Sequence, residues 1–219
     1  VSGTITQVAQ PVLASISEDE RERRVFHKMM RFTAFLSFPC MLGLSLIAND
    51  FILVLLGERW AQCVPLMQVL CIGGAFMPLY ALYQNLAISS GRSDIYMWCS
   101  IAQIALQIAV ILGFHDCGIM GMVRAYTLFN IVWLAAWHIF TSRLIRLRAV
   151  DVVLDIAPFA AIALLTMAVA YFCSMHINDM ILRLVARIAV AVIVYVGVMK
   201  LLRVKILDEC INFIRKKHG

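Results

Sequence analysis

Arg124, Thr127, Asn130 and His138 stand on one apolar stretch, and at about 100° per residue they fall within an arc of roughly 120°. Phe129 and Trp133 point away from that arc. Ser100, Gln103 and Gln107, at i, i+3 and i+7 on an earlier stretch, share a face of their own. The chemistry these types can do is binding. A guanidinium holds two oxygens of a phosphate or carboxylate at once, and amides and hydroxyls both donate and accept hydrogen bonds. Two simpler readings stand beside that one. Glutamines at helical spacing also hydrogen-bond to neighbouring helices. Arg124, about five residues from the outer end of its helix, can extend its side chain to lipid head groups. Nothing points to catalysis: His115-Asp116 is the one adjacent acid–base pair, and a tight turn explains it. His138 reads as a satisfied packing residue. The cysteines Cys40, Cys63, Cys71, Cys99, Cys117, Cys173 and Cys210 are scattered with no C-x-x-C spacing, so no metal site and no cofactor is expected.

The elements that must carry these residues are membrane helices. Of the 219 residues, 63% are hydrophobic and 15% charged, and the mean hydropathy is +0.88, more apolar surface than a soluble core of this size buries. A net charge of +6 with pI near 9.1 raises the question of nucleic acid. The basic residues, however, sit between apolar spans rather than among exposed aromatics, so no nucleic-acid partner is expected.

In chain order, residues 1–16 read as the end of a truncated transmembrane helix, and Val1 stands where a longer protein would continue upstream. SEDERERR, residues 17–24, is a solvated loop entering a helix, with Ser17 and Glu20 as a capping box. The first full span is expected from Phe26 to Ala48, kinked at Pro39, whose missing backbone donor needs a protein neighbour or a polar cavity. Asn49 and Asp50 then end the apolar run, and Arg59 and Trp60 sit in an interfacial loop. Further spans follow at Val64–Ser89, interrupted by Gly73, Gly74 and Pro78, then at Ile95–Gly113 and Ile119–Thr141. A polar linker covers Arg143 to Asp155, and the last two spans are Ala157–Cys173 and Leu182–Leu202. Residues 17–202 thus form a six-helix transmembrane region, and 203–219 a basic amphipathic tail on an anionic membrane face. Asp50, Asp94, Asp116 and Asp179 all fall at ends or turns, which leaves no carboxylate inside a span.

With the N-terminal loop placed inside, all of the 19 Lys and Arg residues except Arg59, Arg124, Arg183 and Arg187 fall on the cytoplasmic side. That bias sets the orientation, with the C-terminus cytoplasmic. Arg183 and Arg187 share a face by their i, i+4 spacing and are read as side chains reaching back to the head groups.

The order VAQPVLASISED, then Arg31, Phe38-Pro39, Leu56-Gly57 with Trp60, and SGRSD resembles polysaccharide flippases of the Wzx type. These lie within the multidrug, oligosaccharidyl-lipid and polysaccharide exporter superfamily. The likeness covers about the first hundred residues; the later helices agree in number and spacing. It implies an all-α, two-lobe transporter of twelve or fourteen helices in a bacterial inner membrane. This chain would supply the C-terminal lobe and lack the N-terminal one. It also implies the substrate, a polyprenyl-pyrophosphate-linked oligosaccharide on its way to O-antigen, capsule or exopolysaccharide. On that implication Arg124, Thr127, Asn130, Gln103 and Gln107 are the substrate-binding candidates, with Arg124 against the pyrophosphate or an acidic sugar.

Two other readings are weighed. Ion-coupled export of drugs or metabolites, by the same superfamily's other branch, needs a buried carboxylate, and the expected spans hold none. A membrane glycosyltransferase or acyltransferase needs an acid or base at the interface and a metal or nucleotide site, and no motif supplies them.

Overall fold

A computed structural model describes residues 18–201 other than Arg143, Arg146 and Asn178. The order is α1 (Glu18–Leu56), a 3-10 turn (Glu58–Cys63), α2 (Val64–Gly74), α3 (Met77–Ser89), α4 (Ser93–Gly113), a second 3-10 turn (His115–Cys117), α5 (Gly118–Thr141), α6 (Ala149–Ser174) and α7 (Met180–Leu201). The described residues are all-α, and six stretches are long and apolar enough to cross a membrane, the α2–α3 pair with its preceding turn counting as one. Large side chains such as Leu36, Val150, Leu165 and Ile193 stand exposed around the bundle. Water would not tolerate so much apolar surface, whereas lipid is its natural solvent. The protein is a multi-pass membrane protein. The expected truncated helix at 1–16, the capping role of Ser17 and the tail at 203–219 lie outside the described residues.

α1 is the post on which the bundle is built, packing along α6, α7, α2 and α3, while α5 packs on α4, α2 and α3. Towards its N-terminal end a continuous core joins Phe26, Met30, Ala34 and Phe38 to Leu79, Tyr83, Trp137, Phe159 and Met199. Towards its C-terminal end the buried cluster shrinks to Ala48, Ile52 and Val64.

The break in the second span is real and small. Pro65 and Pro78 each stand in the first turn of a helix, where a missing N–H costs nothing. At the joint between α2 and α3, Ser37 Oγ donates to the carbonyl of Ala75 at 2.7 Å. Gly73 faces α5 so closely that a Cβ there would lie 3.0 Å from Thr127 Cγ2, so its lack of a side chain sets the distance between α2 and α5.

Three expectations are corrected. The first span does not end at Asn49-Asp50; α1 runs on to Leu56 as one 39-residue helix. Asp50 needs no water to terminate the helix because arginines of α7 receive its carboxylate. The stretch taken as a linker to Asp155 is helical from Ala149, so Asp155 sits about 1.7 turns inside α6. Asp50 is fully buried and Asp155 is 3% exposed, so two spans do contain carboxylates.

α1 continues through Pro39. The ring removes the N–H that would have bonded the Phe35 carbonyl. Tyr195 of α7 supplies the substitute, its hydroxyl donating to Phe35 O at 2.7 Å. The proline's defect is met by a protein neighbour, as lipid requires.

Candidate functional site

The polar residues of α4 and α5 separate into two groups. Asn130 lies at the centre of the first. Its side-chain amide donates to Tyr126 O at 2.8 Å, its Oδ1 accepts from Gln103 Nε2 at 3.4 Å, and its backbone carbonyl accepts from the Tyr80 hydroxyl of α3. Gln103 Oε1 in turn accepts from Trp137 Nε1 at 3.2 Å. This network ties α3, α4 and α5 together within the apolar interior, where each donor and acceptor must find a protein partner. Thr127 is buried against Gly73, and its hydroxyl has no partner among the described residues. Burial pins Thr127 between helices.

Arg124 and Gln107 stand apart from this network. Arg124 is exposed and Gln107 half-buried, and neither has a hydrogen-bond or ion-pair partner given by the geometry of the described residues. The structure therefore brings Gln103 and Asn130 into contact and leaves Arg124 and Gln107 outside their network. His138, on the Arg124 side of α5, meets the Tyr83 hydroxyl at 3.1 Å and borders an otherwise apolar cavity of about 360 Å³ between α3, α5 and α6. It is a packing residue with a partner. The expected turn pair His115–Asp116 is a contact of 2.9 Å between exposed side chains. Among the described residues no group of three His, Cys, Asp or Glu side chains could hold a metal ion.

Sequence reasoning missed two charged centres. At one end of α1, the Asp155 carboxylate receives Arg31 Nε at 2.5 Å and the His27 ring. At the other end, Asp50 receives Arg183 Nη2 at 2.6 Å and Arg187 Nη1 at 2.9 Å. Arg187 also donates through Nε to Ser174 Oγ at 3.0 Å. The arginines read as extending to head groups are instead turned inward onto a carboxylate. From Arg31 to Asp50 is about 28 Å along the helix at 1.5 Å per residue, close to the roughly 30 Å of a hydrocarbon core. The available signal was the i, i+4 arginine pair facing an acid in an apolar run, which seldom survives unpaired in a membrane.

The relatives of the chain agree with the likeness drawn from its motifs. Residues 1–65 match a family model described as polysaccharide biosynthesis protein. The lipopolysaccharide biosynthesis protein WzxC of Escherichia coli (strain K12) is 29% identical over 130 residues, 58% of this chain and 26% of the relative. The teichuronic acid biosynthesis protein TuaB of Bacillus subtilis (strain 168) is 26% identical over 147 residues, 64% of this chain and 30% of the relative. The succinoglycan biosynthesis transport protein ExoT of Rhizobium meliloti (strain 1021) is 23% identical over 225 residues, 99% of this chain and 45% of the relative. The chain thus spans less than half the length of these relatives. No solved structure matches it.

Proposed function

We propose that this chain, a relative of Wzx-type polysaccharide exporters, is the C-terminal part of a flippase. The whole protein carries a polyprenyl-pyrophosphate-linked oligosaccharide across a bacterial inner membrane for surface polysaccharide synthesis. The observation that carries this reading is that the named relatives are proteins of surface-polysaccharide synthesis or transport, one of them aligning over 99% of the chain. Six stretches long and apolar enough to span a membrane supply the multi-pass bundle that such a transporter needs. An N-terminal lobe elsewhere in the protein completes the path, and both chain ends of the six-span region face the cytoplasm.

Within this reading Arg124 contacts the pyrophosphate or an acidic sugar, with Gln107 beside it. Gln103, Asn130 and Thr127 frame the site; the amides of Gln103 and Asn130 already serve α3–α5 contacts, so they fix the helices that present Arg124. The test is complementation by the full-length protein with Arg124→Lys and Arg124→Gln at equal membrane abundance. A bidentate phosphate contact loses most activity in both. A side chain that only reaches head groups tolerates Lys, and full activity of Arg124→Gln ends the assignment.

Ion-coupled export is the second reading, and the buried carboxylates Asp50 and Asp155 give it a footing that the sequence did not. Its expected signature is exchange of protons or sodium for substrate across the proteoliposome membrane, abolished by Asp50→Asn. Transport at unchanged rate after the gradient is collapsed would remove it.

A further inference from the structure

Near the C-terminal end of α1, where the buried core thins, α1, α2, α6 and α7 line an open pocket of about 610 Å³ bordered by Asn49, Asp50, Gln68, Tyr171, Arg183 and Arg187 among others. This volume lies in the range of roughly 300–1,000 Å³ typical of small-ligand sites. Its charge does not balance. Two guanidiniums share one carboxylate, with side chains 24% exposed for Arg183 and 10% for Arg187. Arg187 stands seven residues inside α7, about 10 Å from the helix start at 1.5 Å per residue. A charge held at such depth calls for a partner of opposite sign, and among the described residues one of these two cations has none of its own.

The centre at the other end of α1 shows the contrast. There Arg31 also shares a carboxylate, with His27, but its side chain is 55% exposed and is not held inside a pocket. Arg183 binds Asp50 through Nε and Nη2, and Arg187 uses Nε and Nη1, so Arg183 Nη1 and Arg187 Nη2 have no acceptor among the described residues. The same pocket is bordered by Asn49, whose amide reaches Asp50 at 3.4 Å, by Gln68, and by Tyr171, whose ring centre lies 5.6 Å from the Arg187 guanidinium. Asp179 is exposed and accepts the backbone N–H of Leu182 at the start of α7.

We propose that this pocket is a binding site for a phosphate-type oxyanion, held by Arg183 and Arg187 with Asp50 as the post that aligns both guanidiniums. The oxyanion offsets the surplus positive charge and takes the free N–H groups, and Asn49 and Gln68 border the same pocket. Its source is the phosphoryl head of a prenyl carrier or the head group of an anionic phospholipid. Binding at this place goes beyond the flippase reading and is measurable without transport.

The test uses the full-length protein containing this chain in phosphatidylcholine nanodiscs. Inorganic pyrophosphate, farnesyl pyrophosphate and phosphatidylglycerol are titrated in turn, with direct binding and thermal unfolding as readouts. Wild type is expected to bind at least one of the three, with affinity falling tenfold or more in Arg183→Gln. Asp50→Asn removes the competing negative charge and is expected to tighten binding, even though it loosens the helix contact. A purely structural ion pair has no reason to give these opposite signs. If Asp50→Asn does not fold, Arg183→Lys, which keeps the ion pair and loses the fork, is expected to weaken binding by itself. Binding of the two pyrophosphates identifies a prenyl-phosphate head; binding of phosphatidylglycerol alone identifies a bilayer head group. Absence of binding by all three, or equal binding by wild type and Arg183→Gln, overturns the site. Lost transport with this binding intact counts against the flippase reading and leaves the site standing.

Discussion

The hydroxyl of Tyr195 replaces a hydrogen bond that Pro39 deletes, and the two residues should therefore be coupled energetically. Tyr195→Phe removes the donor while keeping a ring that lies 5.7 Å from Phe35, so packing is retained. Interhelical hydrogen bonds in membranes average about 0.6 kcal/mol and reach about 1.7 kcal/mol. The Phe35 carbonyl has no intrahelical donor to fall back on, which places the cost near the top, at about 1–1.7 kcal/mol. In a Pro39→Ala background the new backbone N–H takes that carbonyl, and the same substitution should cost less than about 0.5 kcal/mol. The coupling between the two changes is then on the order of 1 kcal/mol. Thermal unfolding of wild type, both single variants and the double variant in one detergent measures it, at roughly 2–4 °C per kcal/mol for a protein of this size. Additive shifts would refute the reasoning, since they would mean that Phe35 O never depended on Tyr195. The transport of Pro39→Ala in the full-length protein reports separately on the kink expected at Pro39: unchanged surface polysaccharide gives the proline no part in transport, and reduced transport at normal insertion gives it a part in alternating access.

Gly73→Ala drives a Cβ to 3.0 Å from Thr127 Cγ2; overpacking of about 1–3 kcal/mol against about 1 kcal/mol of regained helix propensity leaves a net loss near 1 kcal/mol. Repeating it in Thr127→Ser, which lacks that methyl, should turn the loss into a gain in unfolding temperature. Asp155→Asn deprives Arg31 and His27 of their shared carboxylate and should lower stability by about 1–3 kcal/mol, moderated because Arg31 can rehydrate. An unchanged melting curve would show that the N-terminal half of α1 is held by packing alone. For orientation, an impermeant thiol reagent on spheroplasts should label exposed Cys117 and half-buried Cys63 and spare Cys210, which lies outside the described residues. The opposite labelling would invert the topology.

Sequence alone determined the class and the layout, because lipid imposes a blunt rule: every spanning segment must be long, apolar and hydrogen-bonded within itself. The runs around Phe38, Ile101, Trp133, Leu164 and Val192 satisfy that rule without help from one another, so their helices were legible one at a time. The motif order from VAQPVLASISED to SGRSD likewise pointed to the polysaccharide exporters before any contact was known. Partnership between helices was not legible in this way. Asp50 looked like a helix end because an unpaired carboxylate cannot stay in an apolar span, and only its meeting with Arg183 and Arg187, more than 130 positions later in the chain, reverses that inference. Gln103 and Asn130 displayed the right types and spacing for a ligand, yet across the α4–α5 contact they are spent on each other and on Trp137. Tyr195 carried no mark of its task, since the need it meets arises at Pro39, on a different helix. Periodicity reports which face of a helix is polar; the hydrogen-bond partner that face finds depends on which helix packs against it, and that is decided by the tertiary structure.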